Sequence, residues 1–248
     1  MSLVTTSAIV LHTFPYGETS KIVRLATPDH GVVSAIAKGA KRSRSRFDLR
    51  LQTLSEGTAR LYMRPNRELH TLAEFELSRQ RGDLARDIQR YTAAAALSEV
   101  VLRVSSQQAH PEVYHVLQMA LDALIEASAE NVPTVSLAAM WSVVGALGFT
   151  PSLASCAVDG RALPDGGASF SVAEGGFLCD VCRRSRHSAE LDERDRHALQ
   201  SFVEGTLPSH DVPAAHAAAH RRLLAHFVRR HVAEERALPA MDFWEKAR

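Results

Sequence analysis

The chain has 248 residues, 46% of them hydrophobic and 23% charged, enough to bury a core without covalent staples, so disorder is excluded as its default state. A net charge of +1 hides a division: residues 1–81 carry 13 Lys/Arg against 7 Asp/Glu, and the remainder carries 16 against 21. A basic front joined to an acidic back suits a polyanion partner for the first part and points away from bare nucleic acid for much of the second.

The opening segment lacks the basic stretch, apolar run and small-residue cleavage site of a secretory signal, and no run approaches 18 apolar residues. A cytoplasmic protein without membrane contact is the expectation. Three cysteines confined to residues 156–182 fit a reducing compartment and a local metal site better than a disulfide framework.

The first 80 residues read as short strands separated by turns. Thr5–Thr13 is broken by Phe14-Pro15-Tyr16-Gly17; Ser20–Thr27 turns through Pro28-Asp29-His30-Gly31 into Val32–Ala37. A basic stretch from Lys38 to Arg50 follows, then strands over Thr53–Met63 and Glu68–Leu77 on either side of Arg64-Pro65-Asn66-Arg67. Five short strands in this length predict a small closed barrel; alternation alone leaves an OB-fold and an SH3-like barrel both open.

From Asp83 the apolar period becomes helical. Helices are predicted over Asp83–Val104, with Asp83 and Asp87 in its first turn, and over Pro111–Ala127. A third, Val135–Leu147, is apolar on every side, which predicts a central position, and Gly148 stops it. Residues 152–186 interrupt this pattern with cysteines, glycines and a strand-like Ala168–Phe177, before helical text returns over Leu191–Glu204 and Ala214–Glu235. The architecture is therefore α+β: a barrel over 1–80 and a helical domain over 81–248 with a ribbon-like insert at about 152–186.

The segment Ala37–Phe47 holds five cations, Lys38, Lys41, Arg42, Arg44 and Arg46, no acid, and small residues that let a phosphate approach the backbone. Such a cluster gains affinity for nucleic acid through counterion release. Phe14, Tyr16, Phe47 and Tyr62 are candidate stacking faces for single-stranded bases.

These residues also carry a family resemblance. Ala8-Ile9-Val10-Leu11, Tyr16-Gly17-Glu18-Thr19, Leu25-Ala26-Thr27 with Gly31, Ala37-Lys38-Gly39-Ala40 and Ser45-Arg46-Phe47 resemble, in order and spacing, the opening of the RecO family of bacterial recombination mediators. The resemblance continues through Leu51-Gln52 and Leu72–Leu77 and, in layout, over the whole chain. It implies an OB-fold and a non-enzymatic protein of DNA repair and recombination. Such a protein binds ssDNA and dsDNA, anneals complementary strands, and works with RecR and the single-strand binding protein SSB to load RecA. It also implies that the basic face, here Lys38, Lys41, Arg42, Arg44 and Arg46, touches DNA, and that the helical domain receives the acidic, Phe-ending tail of SSB. The basic block lies between the third and fourth strands, whereas OB-folds generally bind through strands 2–3 and the loops joining strands 1–2 and 4–5. An RNA-binding OB-fold protein is the alternative reading.

Cys179-x-x-Cys182 is half of a zinc ribbon, and the upstream half stands as Cys156-Ala157-Val158-Asp159. The resemblance implies a site where many members carry four cysteines. Three thiolates and the Asp159 carboxylate form a chemically allowed zinc set, and a packed ribbon without metal is the alternative. His110-Pro111-Glu112 with Cys179-x-x-Cys182 superficially matches a zinc deaminase, but Leu178 stands where that signature needs proline. The spacing of His216 and His220, one helical turn apart, could present two ligands on one face, but with no acidic or cysteine partner at a matching position they read as a helix-surface or core-edge pair. Arg221-Arg222 and Arg229-Arg230 read as a solvated face, a second DNA contact or a dock for an acidic peptide. Neither a phosphate-binding loop nor a G-x-S-x-G turn is present, so no nucleotide and no catalytic residues are expected.

Overall fold

The computed structural model describes residues 2–42, 45, 47, 50–104, 108–234 and 236–247. Five strands, β1 (Ser2–Tyr16), β2 (Ser20–Thr27), β3 (Gly31–Ala37), β4 (Glu56–Met63) and β5 (Leu69–Arg79), close a barrel in the order β1-β2-β3-β5-β4. The β1 strand closes it by serving two neighbours. Ser2–Ile9 pairs with β4, and Ile9–Tyr16 pairs with β2 with a register shift between Val10 and His12. Parallel pairing of β3 with β5 completes the circuit. This connectivity is that of the OB-fold and excludes the SH3-like alternative.

The run Ala8-Ile9-Val10-Leu11 is buried at all four positions because β1 is covered on both faces. Ala8 and Val10 point into the barrel beside Val23, Leu25, Leu61 and Phe75. Ile9 and Leu11 point outward and join Ala26, Val32 and Leu54 in the helical core. Barrel and helices thus share one apolar layer along the outside of β1. Ala40, Phe47 and Leu51 plug the barrel from the β3–β4 connection, so Phe47 is a core side chain rather than a stacking face.

The helical part comprises α1 (Ile88–Val104), α2 (Pro111–Glu126), α3 (Val132–Ala146), α4 (Glu193–Val203), α5 (Ala214–Phe227) and α6 (Pro239–Lys246). Asp87 ends a short 3-10 turn over Gly82–Arg86, and its Oδ1 accepts from the Arg90 N–H at 2.9 Å, so α1 starts later than the periodicity predicts. The α3 helix is central, with Leu137, Met140, Trp141, Val143 and Val144 buried, and Gly148 stops it with φ of +91°. Between α3 and α4 lies a small antiparallel sheet of β6 (Ala168–Ser171), β7 (Gly176–Leu178) and β8 (Ala189–Leu191), ordered β7-β6-β8. The single predicted strand-like segment is two strands because Gly175, at φ +74°, reverses the chain.

Periodicity misses α6, which its eight-residue length and the proline at its first position make hard to see. Met241 and Trp244 bury its inner face, and the Trp244 indole N–H donates to Ser136 Oγ at 3.2 Å. Two of the arginines singled out on α5 and the π turn after it (Val228–Val232) fasten it. Arg221 donates to the Ala247 carbonyl at 2.7 Å, and Arg229 pairs with Asp242 at 2.7 Å and with Glu245. Arg221 is buried and Arg229 engaged, so both leave the reading of a free cationic face, while Arg222 is exposed. Among the described residues no helix is long and apolar enough to cross a membrane.

A buried ion network joins the two parts. The Arg81 side chain, fully inaccessible, reaches Glu56 at 2.6 Å, Asp122 on α2 at 2.9 Å and the Leu54 carbonyl at 3.2 Å. Leu54 holds a left-handed backbone, φ +72°, a conformation that costs a branched residue about 1–2 kcal/mol. Gln118 donates to the other oxygen of Glu56, and Arg79 also pairs with Asp122. Burial, reinforced by the Glu56 charge, pushes the Tyr114 hydroxyl up to about 12. Removing Arg81 leaves Glu56 with only the Gln118 amide and Asp122 with only the half-exposed Arg79, so buried negative charge loses most of its compensation. Arg81→Ala is expected to cost about 3 kcal/mol in urea unfolding, whereas Arg60→Ala, which breaks an exposed pair with Glu74, is expected to cost under about 1 kcal/mol.

Candidate nucleic-acid interface and cysteine cluster

After β3, Lys38 and Gly39 begin a tight turn, with Arg42 N bonded to Gly39 O at 3.1 Å. Gly39 sits at φ +74°, a conformation that suits glycine because it has no Cβ. The turn brings the basic block back to the β1–β2 loop: Lys41 N donates to Thr19 O at 2.9 Å and Lys41 Nζ to Gly17 O at 3.3 Å. Lys38, Lys41 and Arg42 are exposed, and among the described residues none of them forms a salt bridge.

Lys38 and Arg42, with Tyr16, Ser20 and Ile36, border a hollow of about 320 Å³. Tyr16 is 48% exposed beside it. The hollow lies on the β2–β3 face next to the β1–β2 loop, the surface through which OB-folds generally bind. Lys38 and Arg42, which in sequence follow the third strand, therefore lie in space beside the β1–β2 loop. Arg44 and Arg46 fall outside the described residues. Phe14 and Tyr62 are each 38% exposed and do not border the hollow.

Across the molecule, Cys156, Asp159, Cys179 and Cys182 converge, with one donor atom from each within 4.8 Å of all the others. Cys182 Sγ lies 3.4 Å and Cys179 Sγ 3.7 Å from Asp159 Oδ2. A tetrahedral ion with sulfur at ~2.3 Å and oxygen at ~2.0–2.2 Å separates such donors by about 3.5 Å, so the cluster fits a metal ion of that kind. Accepting from the Cys156 thiol and the Arg161 N–H holds the Asp159 carboxyl down to about 2. Burial pushes the Cys182 thiol up to about 12. The three cysteines are free of disulfides and buried. His110 and Glu112 belong to neither cation-competent cluster found among the described residues, so the deaminase signature has no spatial counterpart.

His216 and His220 have a partner that the sequence does not reveal. Asp195, in the first turn of α4, accepts from His216 Nδ1 at 2.8 Å and His220 Nε2 at 3.1 Å. The hydrogen bond to Asp195 raises the pKa of His216, while burial lowers that of His220. Residues 21 and 25 positions apart meet here because side chains of α4 and α5, both packed on α3, reach one another, and no local spacing reports that.

A broad groove of about 870 Å³ runs between the second half of β1, α1 and α6. Ile88 and Phe243, 67% and 71% exposed, stand in it with Tyr91 and Phe14, and Arg24, Arg103 and Arg236 border it. Burial lowers the Arg24 pKa.

Comparison with known proteins agrees across nearly the full length. Residues 1–81 match the family model described as Recombination protein O N terminal, and residues 85–238 the one described as Recombination protein O C terminal. The DNA repair protein RecO of Rubrobacter xylanophilus is 35% identical over 183 residues, covering 74% of this chain and 73% of its own. That of Streptomyces griseus is 32% identical over 189 residues, covering 74% and 75%.

The turn that presents the basic block depends on Gly39. Gly39→Ala has room for its methyl group, the nearest atom being Arg42 Cδ at 3.7 Å, so its cost is conformational, about 1 kcal/mol in urea unfolding.

Proposed function

The chain belongs to the RecO family, whose members act in DNA repair and recombination, and from that premise we propose that it is a non-catalytic, cytoplasmic, nucleoid-associated mediator. It binds ssDNA and dsDNA, anneals complementary strands, and with RecR loads RecA onto strands coated by SSB. In this reading residues 1–80 are the DNA-binding domain and 81–248 the helical one, with Lys38, Lys41, Arg42, Arg44 and Arg46 as the phosphate contacts. The observation that carries it is the exposed set Lys38, Lys41 and Arg42, without a salt bridge among the described residues, of which Lys38 and Arg42 border the hollow beside exposed Tyr16 on the β2–β3 face. Cations at that edge neutralise phosphates irrespective of sequence, and an aromatic ring accepts a stacked base of any identity.

Changing Lys38, Lys41 and Arg42 together to Ala is expected to lower the slope of log K against log salt for ssDNA by about 2, because three phosphate contacts at ~0.7 counterions each are lost. Fluorescence anisotropy across a salt series measures this; an unchanged slope moves the DNA path elsewhere. Competition with ssRNA of equal length separates this reading from that of an RNA-binding factor, which a strong RNA preference would favour.

The groove between β1, α1 and α6 is the proposed dock for the acidic, Phe-ending tail of SSB. Ile88, Tyr91 and Phe243 offer an apolar bed, and Arg24, Arg103 and Arg236 supply charge for carboxylates. Capture of SSB is expected to be lost when its last residues are removed, and weakened at least ~10-fold by Ile88→Ala with Arg103→Ala, the loss of an anchor and a charge-assisted contact.

The four converging donors are proposed to hold one structural zinc ion, which when bound cross-links the loop before β6 to the turn after β7. Cys156 and Asp159 grip it from one side, Cys179 and Cys182 from the other. Protein purified without chelator is expected to contain about one zinc per chain by elemental analysis. In Asp159→Ala the content should fall, and a wild-type content near zero would refute the site.

A further inference from the structure

A second group of donors lies where α4 and α5 meet, away from the cysteines and the basic edge. Asp192 caps α4, its Oδ1 accepting from the Asp195 N–H at 2.8 Å. The cap uses one oxygen. Asp195 faces α5, with His216 Nδ1 at 2.8 and 2.9 Å from its two oxygens. Donor atoms of Asp192, Asp195 and His216 all lie within 4.8 Å of one another. Beneath them the His220 ring, 2% exposed, reaches Asp195 Oδ1 at 3.1 Å.

From this arrangement we propose that Asp192, Asp195 and His216 form a binding site for a divalent first-row cation, with water completing the coordination and His220 positioning Asp195. Three features point to it. Two carboxylates converge within a few ångströms at the surface, an arrangement that a positive charge between them relieves. Donors ~2.1 Å from an octahedral ion and cis to each other stand about 3 Å apart, so the ion would displace to solvent the proton that His216 Nδ1 shares with Asp195 at 2.8 Å while the two side chains barely move. The buried imidazole donates to one oxygen of Asp195 and fixes its plane, as outer partners of metal-ligating carboxylates do. Two oxygens and one imidazole nitrogen with open positions select manganese, cobalt or zinc over calcium, which takes oxygen donors almost entirely. The ion would pin the start of α4, directly after β8, to the start of α5, and so tie the ribbon sheet to the helical core. Half-exposed His216 leaves the open positions facing solvent.

Manganese distinguishes this site from the cysteine cluster, because hard Mn2+ favours oxygen and nitrogen donors over thiolates. In a titration of the full chain followed by the EPR signal of free Mn2+, one equivalent is expected to bind, and to bind equally well to Cys179→Ser. His216→Ala, and Asp192→Asn, which keeps the helix cap, are each expected to weaken binding at least ~10-fold. Far-ultraviolet circular dichroism establishes that both variants are folded. Absence of bound Mn2+ in the wild type, or binding that survives both substitutions, would overturn the proposal.

Discussion

The Arg81 guanidinium holds the molecule in one piece. It lies at the seam where the barrel ends and the helices begin, with no exposed surface, and it is surrounded by Glu56 from β4, Asp122 from α2 and the Leu54 carbonyl. A buried cation without partners would be prohibitively expensive, so each of these groups has to be present for the seam to close. The left-handed backbone of Leu54 points its carbonyl at Arg81, and the neighbouring Leu54 N–H donates to Val10 O at 2.7 Å. One charged side chain thereby sets where β1, β4 and α2 stand relative to one another.

Fixing that seam fixes which surfaces remain free. The outward side of β1 at Ile9 and Leu11 is consumed by packing against the helices, so it is unavailable to a strand of nucleic acid. The β2–β3 face near Tyr16 and Ser20 stays open, and the β3–β4 connection folds onto its edge with Phe47 and Leu51 driven into the barrel. Burial of Ala40 and Phe47 on either side of them keeps Lys41 and Arg42 at the surface, since the segment cannot withdraw these charges without extracting its anchors. The groove between β1, α1 and α6 arises from the same docking, because its walls belong to both parts of the chain.

The helical part is similarly tied from its far end. Arg221 and Arg229 bind α6, and Trp244 inserts beside Ser136 of α3. Arginine suits this use because its guanidinium forms several hydrogen bonds in a fixed plane while its stem packs against apolar neighbours. A pair of adjacent arginines on a helix thus divides its labour: Arg221 faces inward and is structural, and Arg222 faces water.

Local pattern by itself determined the number of barrel strands, the central place of α3 and the convergence of Cys156, Asp159, Cys179 and Cys182. Each of these rests on short-range spacing: alternation, an apolar helix surface, or paired ligands two or three residues apart. The resemblance in the Tyr16–Thr19 and Ala37–Ala40 motifs added the family. Only the tertiary structure decided that Lys41 returns to Gly17 and Thr19, that Phe47 is core, that Asp195 lies between two histidines, and that two arginines fasten a helix the periodicity did not reveal. These outcomes depend on which elements lie side by side. That is fixed by burial of shared apolar area and by satisfaction of the Arg81 charge, which act between residues distant in the chain and leave no periodic trace in it.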